Sequence, residues 1–278
     1  QTGKNSVSTH NSPLYDAMAN LQQPMRSIDL NADLGEGCAS DQALMPLLSS
    51  ANISCAAHAG DEQQIRAAVR HALQLGVMIG AHPSYPDREN FGRKTAPLEA
   101  KQLQDTLLHQ LSWLQDLVHT EGGTLNHVKP HGALYNDAAV NPELAGHVAN
   151  IVKQFNESLT LVGLAGGELI RAGKKAGLAV LCEAFVDRRY CADGTLVPRA
   201  LPGAVINDVQ LATQQALNIV RTGRVLGFDG SLVKISAQTL CIHGDTPGAV
   251  SFAKALRDAL ASANISVRAP ARPDKRCE

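Results

Sequence analysis

Ile28-Asp29-Leu30-Asn31 is a short β-prone run, and Ala32-Asp33-Leu34-Gly35-Glu36-Gly37 follows it with acidic side chains set among turn-forming glycines. The same sequence of events, a strand-like run and then a polar turn, returns along the chain. Ala51 to Cys55 leads into His58-Ala59-Gly60-Asp61, and Val77 to Ala81 into His82-Pro83-Ser84-Tyr85-Pro86-Asp87. Asn126 to Lys129 runs into Pro130-His131-Gly132, and Thr239 to His243 into Gly244-Asp245-Thr246-Pro247-Gly248. Leu159 to Leu164 and Val180 to Ala184 bring the candidate strands to seven. Between them lie helical patterns such as Asp61 to Leu75, with Ile65, Val69, Ala72 and Leu73, and Leu98 to Thr120, with Leu103, Leu107, Leu111 and Leu114. Strands alternating with helices predict an α/β fold with a parallel sheet and right-handed crossovers. Closed into a β/α barrel, such a sheet gathers its strand ends on one face, where the active site belongs.

Composition sets the limits. A chain of 278 residues with 44% hydrophobic and 18% charged content has enough apolar surface for one large core. A net charge of -1 gives no basic excess to hold a phosphate backbone, so nucleic acid is not an expected partner. Cys38, Cys55, Cys182, Cys191, Cys241 and Cys277 form no C-x-x-C pair and read as core or surface thiols of a reduced compartment. No apolar stretch is long enough to span a membrane and the first residues lack a secretory pattern, so a cytoplasmic protein is expected. Residues 1–27, rich in Ser, Asn, Gln and Thr, read as a polar extension, 28–267 as the barrel domain and 268–278 as a tail. Val225 to Ile235 places Asp229-Gly230 between two β-prone arms and predicts a hairpin outside the barrel.

The strand-end rule selects candidate residues. His58, His82, His131 and His243 could each cap a helix or bond a buried carbonyl, but four at equivalent strand ends point to one site. Asp33 and Glu36 are placed for acid–base work, with ordinary turn roles as the alternative. Lys129, at a strand end, could face solvent or the barrel mouth, where it would hold a carboxylate or a developing oxyanion. Gly166-Gly167-Glu168 to Lys175 has the wrong spacing for a Walker A loop and reads as a helix start with backbone N–H groups to offer an anion. No G-x-S-x-G and no patterned Cys–His pair indicates a covalent nucleophile.

Taken together, Ile28 to Gly37, Ser50 to Ile53 with His58-Ala59-Gly60-Asp61, Gly80 to Asp87, His127 to Asn136, Val162 to Gly166, Asp187-Arg188, Asp193 to Arg199 and His243-Gly244-Asp245 resemble the LamB/YcsF family in order and content. The resemblance spans roughly Ile28 to Val267. It implies a seven-stranded parallel β/α barrel similar to the glycoside hydrolase and polysaccharide deacetylase folds, and the barrel subunit of the three-part prokaryotic 5-oxoprolinase. The implied reaction opens 5-oxoproline to L-glutamate with ATP as co-substrate, bound with or by two companion subunits. On that reading Asp33, Glu36, His58, His82, His131 and His243 are catalytic, and Lys129, Arg199, Asp61 and Asp245 bind substrate. Where members of the family read Cys-Gly-Phe-His-Ala-Gly-Asp, this chain has Cys55-Ala56-Ala57-His58, which exchanges an aromatic for a methyl group and puts a side chain in a turn suited to glycine. Cys182 also stands where an acidic residue is usual.

Two other classes share these residues. A metal-dependent amide or carbohydrate hydrolase or deacetylase would use Asp33 and two of the four histidines to hold zinc or a similar ion. A non-catalytic regulatory subunit would follow if Ala56-Ala57 has emptied the site. Whether a metal is bound stays open at this level.

Overall fold

The structure, a computed structural model, describes residues 26–244 and 248–270. Most of the expected extension, most of the C-terminal tail and Asp245 lie outside the described residues. Seven parallel strands form the barrel: β1 (Arg26–Leu34), β2 (Ser50–Ser54), β3 (Met78–His82), β4 (His127–Val128), β5 (Thr160–Leu164), β6 (Ala179–Phe185) and β9 (Thr239–Ile242). They pair in chain order, and β9 closes the ring by pairing with both β6 and β1. The hairpin is where the turn chemistry puts it: β7 (Arg224–Leu226) and β8 (Leu232–Lys234) pair antiparallel in a separate sheet. Sequence reading missed β10 (Ile265–Val267), which pairs with Arg26 to Ile28 and starts β1 two residues before the expected point.

Helices cover the outside: α1 (Asp41–Leu44), α2 (Glu62–Leu75), α3 (Ala100–Thr120), α4 (Gly132–Val140), α5 (Pro142–Phe155), α6 (Glu168–Ala176), α7 (Val209–Thr222) and α8 (Ala249–Ser262). Their local signals are readable. In α2 a capping box joins Asp61 and Gln64, the apolar stripe Ile65, Ala68, Val69 and Ala72 is buried, and Gly76 ends the helix at φ 67°. The glycine-rich stretch is the start of α6, with Gly167 as its N-cap. Among the described residues no helix is long and apolar enough to cross a membrane. Cys38, Cys55, Cys191 and Cys241 are free thiols, but Cys182 is disulfide-bonded. That corrects the reading of all six cysteines as thiols.

The barrel interior is unusual in what fills it. Along β1 the residues alternate, Ile28, Leu30, Ala32 and Leu34 packing in the apolar core while Asp29, Asn31 and Asp33 carry polar bonds across the ring. Asn31 donates through Nδ2 to Glu183 on β6 (3.0 Å) and Thr239 on β9 (2.6 Å), and the Thr239 hydroxyl donates to Asp29 (2.5 Å). Asn52 on β2 donates to Asn31 (2.8 Å) and Asp33 (2.8 Å) and accepts from His127 Nε2 (2.9 Å). Polar groups buried so deeply stabilise the fold only when paired, and this network pairs them strand to strand.

His127 needs room that only glycine leaves. A Cβ at Gly80, on the adjoining strand, would stand 2.1 Å from the His127 ring. Gly80→Ala is therefore expected to displace His127 and lower stability by about 1–3 kcal/mol, read as a fall in the urea midpoint at constant slope. An unchanged midpoint would show that the ring moves at no cost.

Candidate active site

The C-terminal ends of the strands open into a cavity of about 590 Å³. Asp33, Glu36, His82, Lys129, His131, Arg199 and His243 line it, so seven of the residues selected from sequence share one space. His58 lies directly behind, with Nε2 2.9 Å from Glu36 Oε1 and its ring stacked on His131 at 3.8 Å. Asp61 does not join them. Its side chain accepts from the Gln64 backbone N–H as the exposed cap of α2, so the substrate-binding role expected of it is corrected to a helix cap.

Lys129 follows β4 directly and turns inward, 2% exposed. Its Nζ stands 2.8 Å from Glu183 Oε1, 3.0 Å from Asp33 Oδ1 and 3.2 Å from the Cys241 sulfur. Burial would lower the Lys129 pKa, but the carboxylates of Asp33 and Glu183 outweigh it and hold the ammonium well above its ordinary range. The same pairing acts in reverse on Asp33. Burial alone would raise its carboxyl, yet His82 and Lys129 beside it keep it well below the usual carboxylate range. Asp33 is thus an ionised group at the cavity wall, 3.3 Å from His82 Nε2.

The histidines are held from behind. His82 Nδ1 donates to the Lys129 carbonyl (2.7 Å) and His131 Nε2 to the Phe91 carbonyl (2.9 Å). Phe91 and Gly92 both adopt left-handed backbone, at φ 56° and 63°, in the turn that supplies this carbonyl. A Cβ on Gly92 would come within 2.9 Å of the His131 ring. Phe91 also packs edge-on against His58 and His131, at 5.7 and 5.5 Å. An aromatic wall for His58 therefore exists although position 57 is alanine. Ala56 does sit at φ 64°, so the substitution places a Cβ in the left-handed region, and Arg88 clamps that turn by donating to Ala56 O and Gly60 O.

On the far side, His243 Nδ1 is 2.8 Å from Asp187 Oδ2, and its ring stacks on Phe185. Glu36, His58, His82 and His131 each offer one ligand atom within 4.8 Å of the others, and these are the residues that could hold a metal. Asp33 stands beside that group rather than in it, and His243 is not part of it. Sequence reading missed Glu183, Asp187, Arg188 and Arg93 as site residues. Asp187 and Arg188 follow β6 and obey the strand-end rule, whereas Glu183 points inward from mid-strand and Arg93 reaches the cavity from a long loop. Arg93, Arg188 and Arg199 together give the cavity a cationic rim suited to an anion.

His127, below the site, carries a consequence for pH. Burial, with the Lys129 charge second, pushes its pKa down to about 3. The unfolded chain takes up that proton near 6.5, so between pH 6.5 and 3 the unfolded state binds more protons and stability falls as pH falls. The expected slope from this residue is about 1.4 kcal/mol per pH unit. Urea unfolding at successive pH values checks it, and His127→Asn should remove that part of the slope.

Comparison with known proteins agrees with this architecture. The LamB/YcsF family matches residues 28–275. A lactam utilization protein from Thermus thermophilus is 42% identical, with a TM-score of 0.82 over 88% of this chain and 100% of its own. A protein proposed to cleave cellobiose phosphate, from Enterococcus faecalis, shares the fold at 11% identity and a TM-score of 0.51, over 88% of this chain and 97% of its own. With the family's match running from the first barrel strand past the last, the chain belongs to the LamB/YcsF family.

Proposed function

We propose that this chain is the barrel subunit of an ATP-dependent 5-oxoprolinase, acting with two companion subunits to open 5-oxoproline to L-glutamate. The observation that carries the reading is the 42% identity, over the whole length of the relative, to a protein named for lactam utilization. The chemistry of the cavity supports it. An unstrained lactam is a poor electrophile, and phosphorylation of its carbonyl oxygen by ATP turns it into a good one. Water then adds to the ring carbon, the C–N bond breaks as the amine takes a proton, and the acyl phosphate left behind hydrolyses to glutamate and phosphate.

Each step has a residue to serve it. The Arg93, Arg188 and Arg199 rim suits the substrate carboxylate and the phosphate. Asp33 can take a proton from water, while the His243–Asp187 pair can deliver one to the amine. The described residues contain no Walker A loop, so a companion chain is assigned the ATP chemistry. Growth tests the proposal: a bacterial host without its own 5-oxoprolinase should use 5-oxoproline as nitrogen source when given all three chains. It should fail when this one is left out. Equal growth without this chain would contradict the assignment.

A further inference from the structure

We infer that Glu36, His58, His82 and His131 form a binding site for a divalent first-row transition ion of the zinc or cobalt class. The inference comes from counting hydrogen-bond donors. His82 Nδ1 faces the Lys129 carbonyl and His131 Nε2 faces the Phe91 carbonyl; each acceptor requires a proton on the nitrogen it meets. His58 Nδ1 faces Ser84 Oγ at 3.1 Å, and that hydroxyl already donates its hydrogen to the Tyr85 carbonyl at 2.8 Å. With the Ser84 hydroxyl committed to that carbonyl, His58 Nδ1 is the donor as well. In their neutral forms all three rings then turn an unprotonated nitrogen inward.

Those inward nitrogens face acceptors, with Asp33 Oδ2 3.3 Å from His82 Nε2. His82 Nε2 and His131 Nδ1 approach to 2.9 Å, lone pair to lone pair, and His58 Nε2 stands 2.9 Å from the Glu36 carboxylate. His131 Nδ1 is 3.4 Å from the same oxygen, and His82 Nε2 is 4.0 Å from it. Two added protons, one on an imidazole and one on Glu36, would be needed to turn these contacts into hydrogen bonds. One divalent ion among the four atoms does the same at once. Ligand atoms around a tetrahedral ion with bonds of about 2.1 Å lie about 3.4 Å apart, within the span of the distances here. Imidazole donors select the zinc and cobalt class over magnesium or calcium, which take oxygen. The outer bonds to Lys129 O, Phe91 O and Ser84 are what such a site uses to fix ring orientation and tautomer. On loading, the stacked His58 and His131 rings would tilt apart to share the ion.

This assignment deepens the proposed function by naming a cofactor for the same cavity, but its test does not depend on that function. Tag-free full-length chain is stripped with chelator and titrated with Zn²⁺ and with Co²⁺, with elemental analysis, calorimetry and the visible cobalt spectrum as readouts. The expected result is one ion per chain, with an imidazole-rich shell in X-ray absorption. His82→Gln with His131→Gln should abolish binding, and His243→Gln should keep it. Ser84→Ala retains every ligand but frees the His58 tautomer, and should weaken binding by about 10-fold or more. Should the double variant fail to fold, the native stoichiometry and the Ser84→Ala affinity decide the matter. No stoichiometric binding by the native chain, or equal binding by a folded double variant, would overturn the inference. Glutamate formation by metal-free protein would leave the proposed function standing without it.

Discussion

Lys129→Met should lower the stability of the barrel by about 3–5 kcal/mol, because it removes the cation and leaves its partners buried. Asp33 and Glu183 both lie within 3.0 Å of the Lys129 ammonium, and Glu183 is 0% exposed. Methionine fills similar volume, so packing is kept and the loss isolates the charge. Urea unfolding of Lys129→Met measures it. Adding Glu183→Gln to that variant should recover part of the loss, since one of the stranded carboxylates is gone. A fall below about 1 kcal/mol would mean that water reaches the pair and screens it, against the burial described above.

Asp33→Asn should cut turnover of the complete enzyme by about a thousandfold while the barrel stays folded. The amide oxygen can still accept from Lys129 Nζ and from Asn52 Nδ2, which now bond Asp33 Oδ1. What disappears is the negative charge 3.3 Å from His82 Nε2 and the capacity to accept a proton. The change should appear in kcat more than in KM, because Asp33 acts on the reacting centre rather than on the arginine rim. Circular dichroism and the thermal midpoint separate this outcome from unfolding.

Much of this was legible in the residues, and the reasons for the exceptions are physical. Five of the seven barrel strands, β1, β2, β3, β4 and β9, run into a polar turn that carries ionisable residues, since a strand that stops at a ligand cavity gives way to groups that serve it. That rule brought Asp33, His82, Lys129, His131 and His243 to one cavity from different strand ends. It mistook Asp61, because an aspartate before an amphipathic run caps a helix whether or not a site is near. It passed over Glu183 and His127, whose side chains act from inside the barrel. Alternation along Ile28 to Leu34 carried that signal, with every second residue polar in a strand buried on both faces. The short β10 gave too few residues to stand out, and its pairing with Arg26 to Ile28 depends on the last helix returning to the barrel floor. The disulfide at Cys182 had no spacing motif to reveal it.

The central claim is that this chain supplies the lactam-opening site, and the most direct test is glutamate release from 5-oxoproline and ATP in a purified three-chain mixture. The account predicts release with the native chain, essentially none from the chain alone, and none above background when Asp33→Asn replaces it in the mixture. Undiminished release from a mixture lacking this chain, or carrying its Asp33→Asn form, would contradict it.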